Sequence, residues 1–225
     1  MATLTQFRAE LAAVLGLDNT ASGDQTFMDQ YINEGVSDVM LKVRFRVRPF
    51  EMALTADEGD YTLTTDILAI IDLIVTSQSS DYSLARVTPS DILDMRRNAA
   101  GSSPARYYAV AGSDLLMVYP TPDAADTLTG LYVPRPATLT AGADTPSEIP
   151  AEWHKLVSLY ALYRCADMDD DSSSDMGERY RALYENGIRE ARKATYTHGG
   201  IRMPAVRRRV RRGMVESDPS VSTAY

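Results

Sequence analysis

The chain has 225 residues, 44% of them apolar and 24% charged, a balance that excludes collagen-like, disulfide-framework and wholly disordered classes. Its net charge of −8 is unevenly placed: residues 1–200 hold 17 Lys and Arg against 29 Asp and Glu, whereas residues 201–225 hold six Arg against two acids. An acidic body of net −12 therefore carries a basic tail of net +4, and the lone Cys165 excludes an intrachain disulfide and a cysteine-based zinc site and points to synthesis in a reducing compartment.

In chain order, Thr3-Leu4-Thr5-Gln6 has the capping-box spacing, and Leu4, Phe7, Leu11, Val14 and Leu15 then share one face of a helix that Gly16 stops. After a polar loop over residues 17–25, a second helix places Met28, Ile32, Val36, Val39, Met40 and Val43 on one stripe. Gly35 lies between them as a close-packing point, and the helix is expected to fade near Pro49. From Pro49 to Pro134 the pattern changes to β-branched and apolar runs, with strands expected over residues 49–54 and 67–75. The second of these runs is apolar on both faces except at Asp72, which marks it as the most buried strand. It is far short of the roughly 20 residues that span a bilayer. Arg8 and Glu10 interrupt the N-terminal stretch, so neither membrane insertion nor a signal peptide is expected.

Thr88 as N-cap with Pro89 at the first helical position opens a short helix through Arg97. Residues 106–110 and 115–119 around the turn Ala-Gly-Ser-Asp read as a β-hairpin, and residues 127–133 supply a third strand. These strands together read as one small antiparallel sheet. After a Pro/Gly-rich loop, helical rhythm returns in Trp153, Leu156, Val157, Tyr160 and Tyr163, and again in Met176, Tyr180, Leu183, Tyr184, Gly187, Ile188 and Ala191. The expected fold is α+β. An antiparallel helix bundle (residues 1–48 and 150–197) carries an inserted small antiparallel β-sheet domain (49–149) and an extended C-terminal arm (198–225).

Catalytic signatures are absent: there is no phosphate loop, dinucleotide fingerprint, nucleophile elbow or paired-histidine zinc motif. Of the two histidines, His154 reads as a surface or capping residue at a helix start and His198 as part of an exposed hinge, so neither is assigned to catalysis. Asp167, Asp169, Asp171, Ser173, Asp175 and Glu178 match the ligand spacing of a calcium loop. Ser172 stands where the sharp turn needs glycine, however, and a polar inter-helix loop explains the same residues, so neither metal nor cofactor is expected. Tyr160, Tyr163, Tyr180 and Tyr184 are expected to cluster between the last two helices with their hydroxyls at the rim.

The strongest charge feature is the arm. Its arginines Arg202, Arg207, Arg208, Arg209, Arg211 and Arg212 are interleaved with Met203, Val206 and Val210, which suits docking on an acidic protein surface. A solvated, disordered terminus is the level alternative, and direct nucleic-acid binding, opposed by repulsion between the acidic body and phosphate, is the third reading.

Three stretches carry a family resemblance. They are Leu115-Leu116-Met117-Val118-Tyr119-Pro120-Thr121-Pro122, then Leu131-Tyr132-Val133-Pro134-Arg135-Pro136-Ala137-Thr138-Leu139, then Ile149-Pro150-Ala151-Glu152-Trp153-His154-Lys155-Leu156-Val157. With Thr88-Pro89-Ser90-Asp91-Ile92-Leu93 upstream, their order resembles the head-to-tail adaptor (connector) proteins of tailed bacteriophages over roughly residues 20–195. The resemblance implies a non-enzymatic virion protein at the head-tail junction, assembled in the host cytoplasm as a homo-oligomeric, dodecameric ring. Its partners would be the portal protein, reached by the arm, and a tail or stopper protein, with DNA passing through the channel without specific binding. A nucleic-acid-binding module, a tail-completion or stopper ring, and an enzyme built on a carboxylate pair are the competing readings.

Overall fold

The first helix begins where its capping box places it. Thr3 Oγ1 accepts from the Gln6 N–H at 3.3 Å, and Gln6 Oε1 accepts from the Thr3 N–H at 3.0 Å. Helix α1 (Leu4–Leu15) then ends at Gly16, whose φ of 69° suits a residue without Cβ. The structure is a computed structural model that describes residues 1–64, 66–77, 81–98, 101, 103–166 and 174–198.

Helix α2 (Ser22–Val43) starts inside the stretch expected to be a polar loop. Its first turns bury little, so they lack the apolar rhythm that marks the rest, yet Gln25 N–H already bonds Ala21 O at 3.0 Å. The helix stops well before Pro49, at Arg44 in the left-handed region (φ 61°), beyond which Arg46 reaches Glu148 at 2.6 Å. Its Gly35 is the close-packing point: a Cβ there would meet Tyr160 Cδ1 at 3.1 Å and Val157 O at 3.2 Å. A 3-10 turn (Ala151–Trp153) leads into α4 (Lys155–Ala166), followed by α5 (Ser174–His198). Helices α1, α2, α4 and α5 share one core, in which Leu4, Phe7, Met28, Ile32, Val157 and Tyr184 are almost wholly buried.

Two four-stranded sheets stand where one was expected. The strands are β1 (Arg48–Ala53), β2 (Asp60–Thr62), β3 (Ile67–Thr76), β4 (Asp81–Ser83), β5 (Ala85–Arg86), β6 (Tyr107–Ala111), β7 (Leu115–Tyr119) and β8 (Thr127–Pro134). The first sheet is antiparallel in the order β1-β8-β3-β4; the second runs β2-β7-β6-β5 and contains a parallel pair, β5 with β6. The hairpin β6–β7 forms as expected, with Ala111 opposite Leu115. Strand β8 does not join it, but pairs with β1 and β3, because Leu128 and Tyr132 bury their side chains between the two sheets from that position. Strands β2, β4 and β5 span two or three residues each, too short for alternation to reveal them.

Strand β3 serves two cores. Ile67, Ile70, Leu73 and Val75 point into the inter-sheet core, while Leu68, Ala69 and Ile71 pack against the helices. Two register irregularities against β8, between Ile67 and Ala69 and between Ile70 and Asp72, accompany this double use. The C-terminal half of β3 alternates buried and exposed, so only its first half is covered on both faces, with Leu68, Ala69 and Ile71 half-buried.

Helix α3 (Pro89–Asn98) is capped reciprocally: Asp91 N–H donates to Thr88 Oγ1 at 3.2 Å, and Thr88 N–H donates to Asp91 Oδ2 at 3.0 Å. It is pinned to the second sheet by Arg96, which donates to Gly59 O and Asp60 Oδ1, each at 2.8 Å, and to Val118 O at 3.2 Å. No helix among the described residues is long and apolar enough to cross a membrane.

Candidate functional site

The nine arm residues expected to hold a partner, Arg202, Met203, Val206, Arg207, Arg208, Arg209, Val210, Arg211 and Arg212, lie outside the described residues. The structure does describe the helix that leads to them. On α5, Ile188 and Ala191 face the helical core, and Arg192 Nε donates to Lys42 O at 2.7 Å, one residue before the end of α2. The C-terminal part of α5 therefore lies beside the end of α2, where the chain turns toward β1.

Midway along α5 the tyrosines gather. Tyr160 and Tyr163 pack edge to face at 5.0 Å, and Tyr184 lies 5.6 Å from Tyr160 and 5.8 Å from Tyr163. Tyr180 packs on the same core. The Tyr184 hydroxyl donates a short hydrogen bond to Asp38, which also pairs with Lys42 Nζ at 2.8 Å. Burial, and then donation to Asp38, holds the Tyr184 phenol well above its usual range, while burial pushes Tyr160 up to about 12. These groups stay protonated and neutral, which suits packing and not proton transfer.

His154 is not a surface residue. It is 3% exposed, its Nδ1 accepts the Ala2 N–H at 3.0 Å, and its Nε2 donates to Ile149 O at 2.9 Å. Both ring nitrogens are committed to holding the N-terminal segment and the preceding loop, which leaves none for chemistry. Neighbouring residues lock the same region: Ser158 Oγ donates to Glu10 Oε2 at 2.6 Å, and Asn33 clamps Leu139 through both its backbone groups, at 2.7 and 3.1 Å. These partners sit more than 100 residues apart in sequence, so no local signal announces them.

Cys165 is buried and its thiol is pushed up to about 12 by desolvation, which removes it as a nucleophile. Residues 167–173 of the calcium-loop spacing lie outside the described residues, and Asp175 stands in the first turn of α5. The side chain of His198 is likewise outside them.

Among the described residues, two surface concavities involve the sheets, beside a smaller one of about 300 Å³ between Lys42 and Arg192. On the outward face of the first sheet, Pro49 and Glu51 of β1, Thr129 and Leu131 of β8, and Asp72 and Ile74 of β3 line a shallow hollow of about 500 Å³. Leu131 is 43% exposed and Ile74 37%. Among the described residues, neither Glu51 nor Asp72 has an ion pair. Sequence alternation within β8 and the end of β3 signals this face, but only the pairing of β8 between β1 and β3 assembles it. The second concavity, about 550 Å³, lies between Leu41 of α2, Leu68 of β3 and Val110 of β6, with Arg86 and Arg135 on its rim. Both hollows suit a bound polypeptide better than a small reacting molecule, since neither brings a base to a nucleophile.

Comparison with known proteins places this arrangement. A family model described as SU10 adaptor protein matches residues 2–211. No curated protein matches the chain.

Proposed function

The chain belongs to the SU10 adaptor protein family of phage head-tail adaptors, and on that premise we propose that it forms the ring that joins the portal to the tail and continues the DNA channel. Its role is that of a structural adaptor of the phage virion. The observation that carries the finer reading is the extent of the family match, which takes in the helices, both sheets and the arm as far as residue 211. In this reading the helices of residues 1–48 and 150–197 build the wall of a homo-oligomeric, dodecameric ring. The sheets of residues 49–149 project toward a tail or stopper protein, and the arm reaches the portal. The protein performs no catalysis and needs no cofactor.

Charge supports the division of labour. Carboxylates of a body of net −12 repel phosphate, so DNA passes a lumen lined by them without sticking, while arginines with apolar neighbours hold a protein surface. Electron microscopy of the purified protein mixed with portal protein tests the reading. Rings seated on the portal are expected with the full chain, and free rings or free protein with a chain lacking residues 201–225. Normal attachment by the truncated chain would sink the portal-docking role, and steep salt-dependent binding to bare DNA would favour a nucleic-acid module instead.

A further inference from the structure

We propose that the outward face of the β1-β8-β3-β4 sheet is the seat of this chain's own basic arm, residues 201–212, in the free protein. This does not rest on the portal reading. Outward positions on the four strands alternate with those that fill the inter-sheet core, and they carry Glu51, Asp72 and Asp81 without a single Lys or Arg. Among the described residues none of these carboxylates has an ion pair, and Leu131 and Ile74 lie open beside them. The face thus offers negative charge and exposed apolar surface together.

The arm offers the complement. An extended chain over residues 206–212 would turn Val206, Arg208, Val210 and Arg212 to one side, apolar and cationic in alternation. On the sheet, Leu131 stands opposite Asp72, while Glu51 and Ile74 flank Thr129, so each apolar side chain has a carboxylate within a strand or two. Placement agrees with the chemistry. Arg192 fixes α5 to the end of α2, and β1 begins five residues after that helix ends, so the arm departs from the side of the molecule where this sheet starts. Val206 and Arg212 lie 8 and 14 residues beyond His198, and chains of those lengths reach up to roughly 30 and 50 Å. The other concavity, rimmed by Arg86 and Arg135, repels the same segment. Individual exposed ion pairs are weak, but a tether of this length supplies an effective concentration on the order of millimolar, enough to populate a weak contact. The arm's arginines are then screened from phosphate until another surface competes for them.

The test uses the full-length protein alone, with Leu131 replaced by the photo-crosslinking residue benzoylphenylalanine and, in a second preparation, Thr129 replaced likewise. After irradiation at low ionic strength, mass spectrometry of the digest is expected to find adducts with residues 201–214. Adducts within one chain are expected; adducts found only in cross-linked dimers, between two copies, would overturn the proposal. Their yield is expected to fall roughly fivefold or more in about 0.5 M salt, and again in the Glu51→Lys/Asp72→Lys variant. The salt series keeps the test decisive if that variant fails to fold. No arm adduct, adducts only elsewhere, a yield unchanged by salt, or equal arm adducts from a label at the exposed Leu93 of α3 would each overturn the proposal.

Discussion

The helical core and the inter-sheet core are held in different ways. Around the helices, specific polar contacts bridge distant segments: Tyr184 to Asp38, His154 to Ala2 and Ile149, Ser158 to Glu10, and the two-point pairing of Arg8 with Asp29 at 2.5 and 2.6 Å. Between the sheets the packing is almost entirely apolar, with Leu73, Val75, Leu116, Val118 and Leu128 fully buried. Its polar anchors lie at the margins, where Tyr132 donates to Asp66 at 2.9 Å and Arg96 pins α3. Polar clamps permit one arrangement and make the helical part a rigid frame, whereas an apolar core tolerates exchange of similar volumes. The sheets are thus the part free to vary the surface they present.

Substitutions in the two cores test that contrast, beginning with the largest effect. Tyr184→Ala removes a ring that is 1% exposed and leaves Asp38 paired with Lys42 alone, and is expected to cost about 3–5 kcal/mol in urea denaturation. The volume-matched sheet-core change Leu116→Met is expected to cost less than about 1.5 kcal/mol, and a loss equal to that of Tyr184→Ala would erase the distinction. His154→Leu keeps the site filled but leaves Ala2 N–H and Ile149 O without their partner. A loss of about 1–3 kcal/mol is expected, with faster amide exchange along α1 and no change in the sheets.

The alkaline limb of stability separates the regions more finely. Tyr160 holds its proton to about 12 and Tyr184 beyond, against a usual value of 10.0. Between pH 10 and 12 the unfolded chain therefore gives up protons that the native state keeps, and stability is full below 10 and falls as pH rises. Tyr184→Phe is expected to make that fall shallower, and an unchanged slope would show that other tyrosines carry it. The smallest effect is expected on the open sheet face, where Leu131→Thr is expected to shift stability by no more than about 0.5 kcal/mol.

Much of this architecture is legible locally. The Thr3/Gln6 box, the Gly16 stop, the Thr88-Pro89 start and the hairpin about Gly112 each depend on residues within one turn of chain, and each forms as read. The tyrosine cluster is legible too, because helical period alone brings Tyr160 and Tyr163 together, and the rhythm of α5 sets Tyr184 against them. Illegible are the burial of His154, whose partners are at Ala2 and Ile149, and the polar start of α2, whose side chains give no apolar rhythm.

By itself, the sequence determined where most elements begin and end, which faces are apolar, and how charge divides between an acidic body and a basic arm. Those are consequences of local sterics, of capping and of the periods 3.6 and 2. Only the tertiary structure decided that β8 joins β1 and β3 and not the hairpin, that β3 serves two cores, and that Glu51, Leu131 and Asp72 share one outward face. The reason is that alternation states that a strand has a buried side but not what buries it. That choice depends on the summed burial of segments as far apart as Arg48 and Pro134, to which no single window of sequence has access.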